Sequence, residues 1–184
     1  MSALPSGIIT FLFTDIEGST KLSQEYPDTL PAALEIHHSI LEKAVKSNNG
    51  HVFEIVGDAF CTAFENSEDA IKAAVEMQLN LAKEKWEDAV IKIRIGIHSG
   101  DAEWNGKTYS GYITMARTAR VMSSAYGEQI IISKITYELA KEKFDSVKEK
   151  GITFRDLGER RLKDLIQPIQ IYQVLSEGLR SEFP

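Results

Sequence analysis

The sequence predicts an α+β fold of the ferredoxin-like, split βαβ type, an antiparallel sheet with helices on one face. Two observations predict this fold. The first is that segments with the apolar periodicity of strands alternate with segments that have a helical apolar face. The second is the order of these segments in the first half, which is strand, helix, strand, strand, helix, strand. The second half adds elements that we expect to extend the same sheet.

The first strand is predicted over residues 8–13, a continuous apolar and β-branched run typical of a strand buried on both faces. Residues 17–20 supply a glycine and capping residues, so a helix should start there. A second helical run begins at Pro31, because proline suits a first turn, and continues to about Lys46.

Two short strands, 51–55 and 59–64, are joined at residues 56–58 by a Gly-Asp pair that favours a tight hairpin. A helix over 68–83 follows. Residues 91–97 alternate apolar and basic side chains, which indicates a half-buried strand. The remaining predicted elements are a helix over 114–124, a strand over 129–133, a helix over 134–143, and strands over 152–157 and 169–174.

The length of 184 residues and the 43% hydrophobic content suit one domain. We place it at 8–176, after an N-terminal extension of residues 1–7 and before a polar segment, 177–184. That last segment is either a frayed end or the start of a linker to further regulatory domains.

Composition argues against several classes of partner. The net charge is -6 with both signs interspersed, so there is no basic stripe for nucleic acid. Cys61 is the single cysteine, which precludes an intrachain disulfide. The sequence has neither a signal-peptide pattern nor an apolar run of about eighteen residues, so we expect no membrane partner and a cytoplasmic location. The histidines have no partner at ligand spacing and are interpreted as structural.

Two carboxylates stand where chemistry is expected. Asp15 follows the buried first strand, and Asp58 lies at the tip of the hairpin. If the strand lies beside the hairpin, both reach the same edge of the sheet, and such oxygens bind Mg²⁺ together with phosphate. Two metal ions held this way activate a hydroxyl and neutralise a triphosphate. The alternatives are a helix cap for Asp15 and a turn-forming role for Asp58.

Backbone amides at a helix start bind anions, so the amides of Ile16, Glu17, Gly18 and Ser19, with Thr20 after them, are a candidate phosphate site. The alternative is ordinary helix capping.

Five ordered motifs carry a family resemblance. They are Phe11 to Thr20 (FLFTDIEGST), Gly57 to Phe60 (GDAF), Ile97 to Gly100 (IHSG), the arginines Arg117 and Arg120, and Gly127 to Gln129 (GEQ). Over about residues 8–175 the chain resembles the catalytic domain of class III adenylyl and guanylyl cyclases, most closely the bacterial kind often fused to ATPase and helical-repeat regions.

The resemblance implies a role for each matching residue. Asp15 and Asp58 match the two metal-binding aspartates, with Ile16 as a further metal position, for two Mg²⁺ or Mn²⁺ ions per site. Glu54 matches the base-selecting position, where adenylyl cyclases usually carry lysine and guanylyl cyclases glutamate. Because a carboxylate accepts hydrogen bonds from guanine, Glu54 favours GTP over ATP. Its alternative is a solvent-facing strand residue.

The other implied substrate contacts are Thr108, Arg120 and Lys163. Thr108 matches the second base-reading position, but a hydroxyl discriminates little between bases. Arg120 matches the arginine that stabilises charge on the reacting phosphate, and Lys163 matches the lysine that reaches the triphosphate. Surface charges are the alternative reading for both cations.

The resemblance implies a homodimer that binds a nucleoside triphosphate at two equivalent sites across the interface. One chain supplies Asp15 and Asp58, and the other supplies the remaining four substrate contacts, Glu54, Thr108, Arg120 and Lys163. One departure is plain: where the family has an asparagine that orients the ribose, this chain has Ala116, or Met115 if the alignment shifts. Because lost positioning slows catalysis, the functional hypotheses are an active cyclase and a silent nucleotide-binding or dimerisation module. A plain interaction domain fits the aspartates less well.

Overall fold

A central mixed sheet organises the structure, a computed structural model that describes residues 3–146 and 151–184. The strand order is β2-β3-β1-β4-β6-β8-β7, and β5 pairs with β4 outside this path. The strands are β1 (Gly7–Ile16), β2 (His51–Val56), β3 (Ala59–Phe64), β4 (Ile93–Trp104), β5 (Tyr109–Ser110), β6 (Ile130–Ser133), β7 (Thr153–Arg160) and β8 (Ile169–Leu175). The first four long strands have the ferredoxin-like order, which confirms the predicted fold class.

Strand β1 is central because it pairs antiparallel with both β3 and β4. Its side chains alternate between two cores, as a strand covered on both faces requires. Phe11 and Phe13 belong to one hydrophobic cluster, whereas Leu12 and Ile16 belong to a larger one on the opposite face. The predicted burial of this strand on both faces is therefore confirmed.

The helices divide between the two faces. They are α1 (Ser19–Glu25), α2 (Leu30–Ser47), α3 (Ser67–Lys83), α4 (Tyr112–Ser123) and α5 (Lys134–Ser146). Buried side chains of α2, α3 and α5 join the cluster around Leu12, but α4 packs on the other face through Met122. The expectation that the helices of the ferredoxin-like half pack on one face is confirmed, whereas α4, in the C-terminal extension, packs on the other face.

Close contact between α4 and the sheet depends on Gly96. A Cβ added at Gly96 would lie 2.1 Å from the backbone nitrogen of Met122, so only glycine lets the helix approach this strand. The same helix crosses from β4 to β6, and these two strands are parallel, as a helical crossover allows. All other strand pairs in the described residues are antiparallel, so the sheet is mixed rather than wholly antiparallel.

Most predicted element bounds agree with the structure to within three residues. Strand β1 is longer at both ends, β4 continues to Trp104, and the short strand β5 was not predicted. Residues 177–184 contact the domain: Phe183 stacks on Tyr126, and the carbonyl of Ser181 accepts hydrogen bonds from Arg155 and Gln173. None of the described helices is both long and apolar enough to cross a bilayer.

Candidate active site

Two carboxylates lie at the same end of the paired strands β1 and β3. Asp15 lies near the end of β1, and Asp58 lies in the turn between β2 and β3. The backbone N–H of Ile16 donates to Oδ2 of Asp58 at 3.1 Å, which holds this carboxylate beside the residue that follows Asp15. The antiparallel pairing of β1 with β3 produces this proximity, since the end of one strand faces the start of the other.

Arg94 forms an ion pair with Asp15 that the sequence analysis did not identify. Its Nε donates to Oδ1 of Asp15 at 2.7 Å, and its Nη2 donates to Oδ2. The two residues are partners in the β1–β4 register. The hydrogen bond to Asp15 raises the pKa of Arg94, with further contributions from the negative charges of Asp15, Glu17 and Asp58. The sequence signal for Arg94 was the alternation of basic and apolar residues over 91–97, most of which lies within β4.

The donor set at this edge suits a hard divalent cation. It consists of carboxylate oxygens, and Mg²⁺ or Mn²⁺ binds these while keeping other positions for phosphate and water. Among residues 3–146 and 151–184, no group of three or more His, Cys, Asp or Glu side chains is arranged to hold a metal ion. Asp15 and Asp58 would therefore share any ion with oxygens from outside the chain, and Arg94 would compete with the ion for Asp15.

Two backbone amides just before α1 already donate hydrogen bonds within the chain. Besides Ile16, the amide of Glu17 donates within the chain, to the carbonyl of Lys92 at 2.9 Å, and the Glu17 carboxylate accepts the N–H of Gly127 at 2.9 Å. Amides at a helix start have no partner inside the helix. Of the predicted anion-binding stretch, the segment Gly18 to Thr20 is thus better placed for phosphate than Ile16 or Glu17.

The two predicted phosphate-binding cations lie together on a second part of the surface. Arg120, on α4, donates from Nη2 to Oδ2 of Asp164 at 2.5 Å. Asp164 follows Lys163, an exposed residue in the connection between β7 and β8. The ion pair therefore brings the Arg120 side chain to the segment that carries Lys163.

The two predicted base-reading residues are exposed, and the segments that carry them are in contact. Glu54 is on β2, the edge strand of the sheet, and Thr108 precedes β5. Their neighbours Phe53 and Tyr109 are in ring contact, with centroids 5.0 Å apart. This aromatic contact holds the two segments side by side.

A single chain does not bring all of these groups together. Asp15 is on β1, whereas Lys163 lies in the connection between β7 and β8, and the nearer of these two strands, β8, is three positions further along the sheet order. At about 4.8 Å per strand this spacing is roughly 14 Å. A second copy of the chain could bring the two parts of the site together.

Helix α4 also shows which residue stands beside Arg120. Ala116 lies four residues before Arg120, and residues at this spacing share a helix face. Met115 instead packs against the cluster around Phe11. Of the two residues that the resemblance allows at the asparagine position, Ala116 shares a helix face with Arg120 and Met115 does not.

Comparison with known proteins identifies the class of protein. The family model described as the adenylate and guanylate cyclase catalytic domain matches residues 1–175. This match covers nearly the whole chain, and its extent agrees with the architecture of the sheet and helices. The chain belongs to this cyclase catalytic domain family.

Two relatives and one solved structure are similar to this chain over nearly its whole length. An uncharacterized protein of Mycobacterium tuberculosis is 31% identical over 98% of this chain, which spans 60% of that protein. The adenylate cyclase of Schizosaccharomyces pombe is 25% identical over 96% of this chain and 13% of its own length. A Trypanosoma brucei adenylate cyclase structure in the monomeric state, 24% identical, has a TM-score of 0.84 and covers 98% of this chain and 96% of its own.

Proposed function

We propose that this domain converts a purine nucleoside triphosphate, GTP in preference to ATP, into the 3′,5′-cyclic monophosphate and pyrophosphate. The observation that carries the proposal is the pair Asp15 and Asp58 at one edge of the sheet, linked through the amide of Ile16. Two bound Mg²⁺ or Mn²⁺ ions would acidify the ribose 3′-hydroxyl and neutralise the triphosphate.

The protein's own groups position the reacting atoms. The ribose 3′-oxygen forms a bond to the α-phosphorus while the bond from that phosphorus to pyrophosphate breaks. Arg120 has the fixed fork of donors that suits the charge developing on the α-phosphate. Lys163 supplies a mobile positive charge to the pyrophosphate. For this role, Arg120 exchanges Asp164 for phosphate oxygens.

Glu54 supports the preference for GTP. The ring N–H and the exocyclic amine of guanine are donors, and a carboxylate on the exposed edge strand accepts both. Adenine presents an acceptor at the equivalent ring nitrogen and would leave Glu54 without a donor. Thr108 either donates or accepts, so it adds little to this choice.

A homodimer follows from the separation of the two groups of residues. Asp15 and Asp58 of one copy would face Arg120 and Lys163 of the other, and the two-fold symmetry generates two equivalent sites. The tip of the β2–β3 hairpin supports such an interface, because Ile55 and Val56 are 42% and 59% exposed.

One observation favours a second candidate, a silent nucleotide-binding or dimerisation module. Ala116 offers no hydrogen bond where the ribose would need orientation, and poor orientation of the nucleophile can slow a reaction by orders of magnitude. Such a module would still bind metal and triphosphate through Asp15 and Asp58.

The deciding experiment is chromatography of products after incubation with each ribonucleoside triphosphate and Mn²⁺, at several protein concentrations. We expect cyclic GMP, formed at a rate that rises faster than linearly with protein. Cyclic AMP as the main product would refute the Glu54 argument alone. Metal-dependent triphosphate binding with no cyclic product would establish the silent module, and Asp58→Ala should abolish that binding.

A further inference from the structure

A cleft separate from the two aspartates opens between α4, the start of α5 and the connection from β7 to β8. Its volume is about 640 Å³. Its lining combines a buried polar floor, cationic side chains and an apolar rim. Such a combination of apolar walls with a few convergent polar groups is typical of small-molecule sites.

The floor of the cleft is formed by His98 and Ser133. His98 is only 3% exposed, and its Nδ1 lies 2.7 Å from Oγ of Ser133. Ser133 continues into a chain of buried hydroxyl groups through Thr136 and Ser99. With Nδ1 engaged by Ser133, Nε2 is the ring nitrogen left for a ligand.

The imidazole of His98 is neutral at neutral pH. Burial is the main cause that lowers its pKa to about 4, and the positive charge of Arg117 lowers it further. The floor therefore provides a neutral hydrogen-bonding group, and the charge in the cleft comes from its walls.

Two cations line the walls, Arg117 and Lys134. Neither has an ion pair or a side-chain hydrogen bond with any residue in the described part of the chain. The third charged group, Asp164, is already paired with Arg120. The cleft is therefore locally positive in a chain whose net charge is -6, which favours an anionic ligand.

The rim is apolar. Ile113, Ile135 and Ile166 line the cleft and are 67%, 47% and 91% exposed. Large side chains with this exposure lose water-accessible surface when an apolar group covers them, at about 25 cal/mol per Å². The rim thus favours a ligand that has a hydrocarbon body as well as a charge.

We propose that this cleft binds a small amphiphilic carboxylate. Its head would lie against Arg117, whose planar fork of donors matches a carboxylate, with Lys134 as a further donor. Nε2 of His98 is an additional donor in the tautomer in which Ser133 donates to Nδ1. Its hydrocarbon body would cover Ile113, Ile135 and Ile166.

The cleft is distinct from the proposed catalytic site around Asp15 and Asp58, but shared elements of the fold connect the two sites. His98 lies four residues along β4 from Arg94, roughly 13 Å at about 3.3 Å per residue. Asp164 lines the cleft and also holds Arg120. A carboxylate bound beside Asp164 would therefore add a negative charge next to the ion pair between Asp164 and Arg120.

The test is titration calorimetry with hexanoate, 1-hexanol and acetate, without metal or nucleotide. We expect hexanoate to bind at least about tenfold more tightly than either hexanol, which lacks the charge, or acetate, which lacks the apolar body. NMR of the His98 ring should show shifts that saturate with hexanoate.

Substitution separates this site from general surface binding. Arg117→Gln should weaken hexanoate binding at least about tenfold, whereas Arg180→Gln, an arginine outside the cleft, should leave it unchanged. The proposal would be overturned if hexanoate and hexanol bound equally well, if Arg117→Gln left the affinity for hexanoate unchanged, or if hexanoate did not shift the NMR signals of the His98 ring. Because no cyclisation is measured, failure of the proposed enzymatic function would not alter these results.

Discussion

Ala116 is the residue on which the choice between an active and a silent domain depends. It shares a face of α4 with Arg120 and contributes no polar atom there. We predict that Ala116→Asn raises the rate of cyclic nucleotide formation at least about tenfold, because a side-chain amide can orient the ribose. The measurement is the initial rate with GTP and Mn²⁺ under saturating conditions.

Ser123→Asn provides the matched control, since it adds the same side chain to the exposed end of the same helix. It should not change the rate. If Ala116→Asn also leaves the rate unchanged while triphosphate binding is intact, the asparagine position assigned by the resemblance is wrong for this chain.

Arg94 occupies both carboxylate oxygens of Asp15, so metal binding has to compete with it. We predict that Arg94→Met increases the affinity for Mn²⁺ alone about tenfold, because it removes both the competing ion pair and a like charge. Mn²⁺ binding without nucleotide can be followed by electron paramagnetic resonance.

Lys92→Met is the control for general charge removal, because Lys92 is two residues away and pairs with Glu128 instead. Comparable gains in both variants would mean that net charge, rather than release of Asp15, controls metal affinity. An unchanged Mn²⁺ affinity in Arg94→Met would mean that Asp15 does not bind the ion.

At the residue level, the sequence pointed to Asp15 and Asp58 because a carboxylate after a buried strand or at a hairpin tip is chemically conspicuous. Arg94 was missed because a basic residue in an alternating strand is ordinary until its partner across the sheet is known. Cross-strand register is a long-range property, and no local pattern in one sequence specifies it.

At the element level, α4 shows where periodicity stops being informative. An apolar face predicts that a helix packs on a sheet but does not specify which side of the sheet it covers. That choice depends here on the close approach of Gly96 to Met122 and on the crossover between parallel strands. Neither feature can be read from the spacing of apolar residues.

Helix α2 carries a buried histidine that makes stability depend on pH. His37 is fully buried, and both ring nitrogens are without hydrogen-bond partners in the described structure. Burial, then the nearby His38, lowers the pKa of His37 from 6.5 to about 4. Between these values the unfolded chain binds the proton first, so the free energy of unfolding falls as the pH drops from about 6.5 to about 4.

We predict that His37→Leu reduces this dependence by up to about 1.4 kcal/mol per pH unit in that window. The contribution of His98, whose pKa is also lowered to about 4, remains. Urea unfolding at several pH values measures the slope. An identical slope in the variant would show that His37 titrates normally in the folded state.

At the level of the whole molecule, the dimer hypothesis predicts complementation between inactive variants. Asp58→Ala removes the metal side of a site, and Arg120→Ala removes the phosphate side. When the two are mixed in equal amounts, half of the dimers are mixed and each has one intact site, so about one quarter of wild-type activity should return.

Each variant alone should remain inactive at every concentration, and the mixture should regain activity on the timescale of subunit exchange. No recovery, despite heterodimers detected by mass spectrometry of differently tagged chains, would place the whole site within one chain.

The overall fold was more predictable than the site. The order of strands and helices was visible locally, since each element has its own apolar period, and it was sufficient to predict the ferredoxin-like half. The short strand β5 and the parallel pairing of β4 with β6 were not, because two residues give no period and strand direction depends on the path of α4.

The central position of β1 also has a consequence for synthesis on the ribosome. This strand is synthesised before its neighbours, β3 and β4, and β4 ends only at Trp104. At about 5–20 residues per second, the apolar segment waits on the order of ten seconds for its second partner. The nascent chain therefore exposes an aggregation-prone apolar segment early. Access to chaperones during translation should determine how much protein reaches the native state.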